Sequence, residues 1–86
     1  MERQSERPAI RVVIVDDHPL LLQGTQALLE QTPGIAVVGA TGSGREAPRL
    51  VASWRPDVLL LDIHLQDMSG VEVARRVSAE FPDVAI

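Results

Sequence analysis

Short apolar runs punctuate the chain, separated by longer stretches in which apolar residues recur every three or four positions. The first run, Ile10-Arg11-Val12-Val13-Ile14-Val15, is mostly β-branched and reads as a buried strand. It ends in Asp16-Asp17-His18-Pro19. Proline suits the first turn of a helix, because its missing N–H would have no partner there. Asp17 or His18 then falls near the helix cap, where the helix dipole favours carboxylates. From Leu20 to Glu30, Leu21, Gly24 and Leu28 recur at helical spacing, with Thr25 or Leu22 and Leu29 beside them. Gly24 weakens such a helix by roughly 0.5–1 kcal/mol against alanine, so close packing is expected there. Thr32-Pro33-Gly34 stops the helix, and Ile35 to Ala40 is the second strand.

After the Thr41-Gly42-Ser43-Gly44 loop, Ser43 and Glu46 have the spacing of a capping box. A helix is expected from there to about Trp54, with Ala47, Leu50, Val51 and Trp54 turned to the core. Pro48 would fall just past the first turn, so this helix should start later or bend. Val58-Leu59-Leu60-Leu61, bounded by Asp57 and Asp62, is too short for a helix and reads as a strand buried on both faces. Val71 to Phe81 is helical, with Val73, Ala74, Val77 and Phe81 on one face, and Val84-Ala85-Ile86 begins another β-type run. The order βαβαβαβ predicts an α/β domain with a parallel sheet.

Composition narrows the chemistry. Eighty-six residues allow one small domain, and an apolar fraction of 45% suits a globular one. Residues 1–9 are polar and charged and are expected to form a flexible leader. The absence of cysteine rules out disulfides and thiolate metal sites within these residues. Neither a membrane-spanning run nor a signal peptide core is present, which makes the cytoplasm the expected location. A net charge of −4 disfavours non-specific nucleic-acid binding. All eight basic residues are arginines.

The candidate chemistry lies at the strand ends. Asp16 and Asp17 close the first strand and Asp62 closes the third. In open parallel sheets ligands bind outside those ends. If the two strands are neighbours, three carboxylates converge, and such a cluster must raise its pKa values or bind a cation. Oxygen ligands without thiolate suit Mg²⁺, and a carboxylate beside a bound cation can act as a nucleophile toward a phosphoryl group. The plainer alternatives are a helix cap with a solvated neighbour for Asp16-Asp17, and a turn former for Asp62. His18 and His64 read as exposed loop residues, and Arg75-Arg76 as a solvated helix face.

Val13-Ile14-Val15-Asp16-Asp17-His18-Pro19-Leu20, Pro56 to Ile63 and Met68-Ser69-Gly70 together resemble the receiver domain of bacterial response regulators of the NarL/FixJ type. The resemblance covers about Ile10 to Ile86 and implies a flavodoxin-like, doubly wound sheet of order 2-1-3-4. It implies that Asp62 is the phosphoacceptor for a histidine kinase, that Asp16, Asp17 and Asp62 hold Mg²⁺, and that the backbone carbonyl of His64 completes the protein ligands. Gln66 stands where the family usually has proline. The family's switch Ser/Thr follows the fourth strand and its phosphate-pairing lysine follows the fifth. This chain stops within the fourth strand and has no lysine, so residues 10–86 are expected to be a truncated receiver lacking the last strand and the last two helices.

On this reading the protein is not an enzyme but a fragment of a transcriptional regulator, with DNA bound only through an output domain outside these residues. The alternatives are a stand-alone interaction module that is not switched, or a Mg²⁺-dependent phosphohydrolase. The last wants an Asp-x-Asp motif, and residue 64 is histidine. Right-handed crossovers in this strand order put the Leu20–Glu30 helix on one face and the helices near Leu50 and Val77 on the other. Part of the one-helix face should therefore be bare apolar surface, open to self-association.

Overall fold

The structure is a computed structural model that describes residues 8–86; most of the expected leader lies outside the described residues. The elements are β1 (Ile10–Val15), α1 (Pro19–Glu30), β2 (Ile35–Thr41), a 3₁₀ turn (Gly44–Glu46), α2 (Ala47–Trp54), β3 (Val58–Leu61) and α3 (Gly70–Glu80). Among the described residues no helix is long and apolar enough to cross a membrane.

The strands form a parallel sheet of order β2-β1-β3. Val12 to Val15 of β1 pair in register with Val58 to Leu61 of β3. On the other edge the register slips once, because Val12 faces Val37 while Val13 faces Gly39. The expected strand at Val84–Ile86 is present only as a parallel bridge between Val58 and Ala85, in which Leu59 N–H donates to Ala85 O at 2.7 Å and Ala85 N–H donates to Asp57 O at 3.0 Å.

Successive strand residues point to opposite faces, and this alternation divides the core. Val13, Val15 and Leu59 pack with Ala47 and Val51 of α2 and Val73 and Val77 of α3 into one buried cluster. The opposite face carries Val12, Ile14, Val58 and Leu60 and, among the described residues, α1 is the helix that covers it. Val12 and Ile14 are buried there, yet Leu60 is 44% exposed and no residue of α1 is fully buried. Leu22, Thr25, Gln26 and Leu29 are half-buried, while Leu20, Leu21 and Leu28 stand out in water. The expected division of two helices against one is what the structure has.

Three local expectations need correction. A Cβ built at Gly24 meets nothing within 4 Å, so no close packing explains that glycine. Ser43 and Glu46 do not form a capping box: the Ser43 hydroxyl donates to Asp67 Oδ2 at 2.7 Å, and Glu46 Oε1 accepts from Thr41 Oγ1 at 2.7 Å. The later start expected from Pro48 is, by contrast, what the structure has: Gly44–Glu46 winds as a 3₁₀ turn and the α-helix starts only at Ala47, which places proline in the first turn. Trp54 is 46% exposed rather than core. Its ring edge covers the β2 glycine, with Trp54 Cδ1 lying 3.5 Å from where a Gly39 Cβ would be.

Candidate functional site

The two strands that carry the acids are adjacent, and their ends are level. Asp62 N–H donates to Val15 O at 2.9 Å, and Asp16 N–H donates to Thr41 O at 3.0 Å, so the ladder runs up to the first acid on each strand. Asp16, Asp17 and Asp62 therefore meet at the carboxyl edge of the sheet. Each offers an oxygen that lies within 4.8 Å of the others and of a His18 ring nitrogen. All three carboxylates are half-buried.

His18 is exposed, as its loop position implies, but its ring is turned into the cluster. Nδ1 lies 2.7 Å from Asp16 Oδ1, 3.4 Å from Asp17 Oδ1 and 3.2 Å from Asp62 Oδ2. A ring nitrogen carries at most one proton, and the geometry aims it at Asp16. Asp62 Oδ2 is consequently buried with no hydrogen-bond partner. The hydrogen bond to Asp16 raises the His18 pKa, desolvation opposes this, and the charges of Asp16, Asp17 and Asp62 add to the rise. Desolvation pushes Asp16 up, but the backbone and ring hydrogen bonds of His18 outweigh it and leave Asp16 below its ordinary value.

The remaining expected ligand, His64, lies in the loop between β3 and α3, is exposed, and donates its N–H to Asp62 Oδ1 at 3.0 Å. Asp62 thus has one oxygen held by its own loop and the other without a hydrogen bond, 3.2 Å from His18 Nδ1. Asp17 Oδ2 accepts from the Gln66 amide at 2.7 Å, so the residue that replaces the family's usual proline supplies a donor that proline lacks. The loop ends at Ser69, whose hydroxyl caps α3 by accepting from Val71 N–H at 3.2 Å. Gly70 follows, donating to Ile63 O at 2.9 Å. A Cβ at Gly70 would collide with the Asp62 carbonyl oxygen and come within 2.5 Å of Ile63 Cα.

Asp67 is a residue that the sequence reading passed over. Its carboxylate accepts from Ser43 Oγ at 2.7 Å, Gly44 N–H at 3.0 Å and Arg45 N–H at 3.2 Å. The Ser43 hydroxyl and the Gly44 amide hold its pKa below the ordinary 3.8, against some desolvation, with Arg45 N–H adding to the effect. A carboxyl depressed on folding stabilises the fold above its unfolded value, and that contribution disappears as pH falls through the lower folded value. The wild-type chain should therefore lose stability more steeply than Asp67→Asn as pH drops below about 3.8. Chemical denaturation at a series of acid pH values measures this; parallel slopes would show that the carboxylate is not held.

A parallel sheet wound by helices on both faces, with an acid pair ending its middle strand and a third acid ending the next, defines a receiver-type fold. The chain belongs to the response regulator receiver domain family, which it matches over residues 12–86. It is 38% identical over 77 residues to the transcriptional regulatory protein LiaR of Bacillus subtilis strain 168, covering 90% of this chain and 36% of LiaR. It is 36% identical over 86 residues to the transcriptional regulatory protein DegU of Brevibacillus brevis, covering 100% of this chain and 36% of DegU. Among solved structures, a LuxR-family two-component response regulator from Aurantimonas sp. SI85-9A1 superposes with a TM-score of 0.82 at 33% identity, over 88% of this chain and 54% of that one. The chain thus spans about a third of the length of these curated relatives. The flavodoxin-like fold and the order β2-β1-β3 agree with the sequence reading.

Proposed function

We propose that this chain is the phosphoacceptor segment of a two-component transcriptional regulator, with Asp62 accepting a phosphoryl group from a histidine kinase. The observation that carries the reading is the Asp62 carboxylate, half-buried among two further acids with Oδ2 lacking any hydrogen-bond partner. A buried carboxylate oxygen that makes no hydrogen bond, among two further carboxylates, favours a cation or a new bond at that position. An oxygen-rich, thiol-free cluster fits Mg²⁺, which would be held by Asp16, Asp17, Asp62 and the His64 carbonyl. Bound there, the ion would supply charge neutralisation for an incoming phosphoryl group. An Asp62 oxygen attacks phosphorus while the bond to the donor's nitrogen breaks, and His64 N–H holds the other Asp62 oxygen in place. The names of LiaR and DegU, both transcriptional regulatory proteins, support assigning the output to transcription.

Two measurements test this. Titration with Mg²⁺, followed by amide shifts, should move signals around Asp62, and Asp16→Ala should abolish the response; an indifferent Asp62 region refutes the cation site. Incubation with a small-molecule phosphodonor, followed by intact-mass analysis, should give a phosphorylated species in the wild type and none in Asp62→Asn. In this 86-residue polypeptide the modification should be slow or short-lived, because it contains no lysine to pair with a phosphoryl oxygen. A charge-assisted contact of that kind contributes about 1.5–3 kcal/mol. Rapid, stoichiometric labelling would disprove the lysine argument.

A further inference from the structure

The loop from Ile63 to Ser69 carries both His64 and Gln66, so its path decides where two contributors to the carboxylate site stand. It is fastened at three places. Its base is closed by Gly70 N–H on Ile63 O at 2.9 Å. Its middle touches the site through Gln66 N–H on Asp17 Oδ2 at 2.7 Å. The next residue, Asp67, ties the loop to a different part of the fold, the segment between β2 and α2, by the three bonds from Ser43 Oγ, Gly44 N and Arg45 N. We propose that Asp67 is a positioning residue for the carboxylate site, holding Gln66 where its amide fixes Asp17 and so setting the affinity for a divalent cation.

The inference rests on the reading of this site as a Mg²⁺ site. Three observations carry it beyond loop decoration. Gln66 and Asp67 are adjacent, so whatever fixes the Asp67 carboxylate limits how far the Gln66 amide can move. With Oδ2 occupied by Gln66, the Asp17 oxygen that faces the cluster is Oδ1, the one 3.4 Å from His18 Nδ1. If the loop shifts, Asp17 is free to rotate and that oxygen is no longer presented. The receiving segment is shaped for the carboxylate as well. Gly44 is buried, and a Cβ there would lie 2.9 Å from Leu65 Cδ1, 3.1 Å from Val73 Cγ2 and 3.3 Å from Asp67 Oδ1. A side chain at position 44 would press on Leu65, Val73 and the Asp67 carboxylate itself, so glycine lets the Gly44 amide approach Asp67 without displacing them.

Partners that orient metal-ligating residues typically change metal affinity by about 10–100-fold when removed. Asp67 acts through one intervening amide, so Asp67→Ala should weaken Mg²⁺ binding by about tenfold, the low end of that range. Asp67→Asn, which keeps one carbonyl acceptor for Gly44 N–H, should fall between the alanine variant and wild type. Ser43→Ala, which removes one of the three bonds, should produce a smaller loss. The test is a Mg²⁺ titration of each full 86-residue chain by amide shifts, paired with hydrogen exchange at Gln66 and Gly44 without metal.

Support consists of the ranked affinities together with faster exchange at Gln66 before any Mg²⁺ is added, while the Val51 and Val77 core signals stay put. Unchanged affinity in Asp67→Ala, or a loss that tracks global stability with Gln66 exchange unaltered, overturns the proposal. If Asp67→Ala does not fold, Ser43→Ala decides by the same two readouts. A wild-type chain that ignores Mg²⁺ overturns the cation reading and the positioning role with it, and that failure is visible before any variant is made.

Discussion

Replacing Gly70 with alanine is expected to destabilise the chain by about 3 kcal/mol or more and to abolish the cation response at Asp62. The added methyl would fall on the Asp62 carbonyl oxygen and within 2.5 Å of Ile63 Cα and 3.0 Å of Ile63 O. These are backbone atoms at the end of β3, not the tip of a flexible side chain. Relief requires moving either the first turn of α3 or the strand end that carries Asp62. Either movement weakens the Gly70 N–H bond to Ile63 O and shifts Asp62 relative to Asp16. Gly24→Ala is the matched control. Nothing lies within 4 Å of its Cβ, so alanine in that helix should stabilise by about 0.5–1 kcal/mol. Denaturation midpoints of the two variants should move in opposite directions; a Gly70→Ala chain as stable as wild type, with an intact Mg²⁺ response, would refute the steric argument.

The second large effect concerns the face covered by α1. The 86-residue polypeptide should bind a dye that reports exposed apolar surface, and should scatter light as an associated species. Leu20 is 84% exposed, Leu28 66%, Leu21 57% and Leu60 44%, and Leu60 belongs to the sheet itself. Leu21 and Leu60 line one shallow groove with Ile14 and Thr25. Full cover is worth about 1.5–3 kcal/mol for each such side chain, so three of them approach the 5–15 kcal/mol margin of an ordinary domain. Changing Leu21 and Leu28 to glutamine should lower dye binding and scattering with little loss of stability, because neither side chain is buried. A dye-negative monomer with a sharp cooperative melt would defeat this expectation.

The strands and helices were legible because each has a short-range signature: four apolar residues between Asp57 and Asp62, or Val73 and Val77 one helical turn apart. The acid cluster was only half legible. Asp16, Asp17 and Asp62 stand out at strand ends, but their meeting depends on β1 and β3 being neighbours, which the strand order supplied. Asp67 was missed because its partners are 22 to 24 residues away and its own loop has no period. The available signal was the Thr41-Gly42-Ser43-Gly44 segment, whose serine and amides need an acceptor. Capping-box spacing offered a local one and was wrong, since Glu46 turned back to Thr41. His18 was read correctly as exposed, but nothing in the spacing showed that its ring would turn toward three carboxylates.

The middle position of β1 also sets an order of assembly. A ribosome makes β1 before either neighbour, yet its edges close at different times: β2 follows after 19 intervening residues, Asp16 to Gly34, and β3 only after Asp57. The β1–α1–β2 unit can pair as soon as Thr41 has emerged. Until Val58–Leu61 arrives, the other edge of β1 has no partner strand, and even once α2 has been made Val13 and Val15 still lack the Leu59 and α3 side chains that complete their cover. The most buried strand of the finished sheet thus waits half-paired until β3 is made, and it is an element for which a nascent-chain chaperone would have apolar surface to cover.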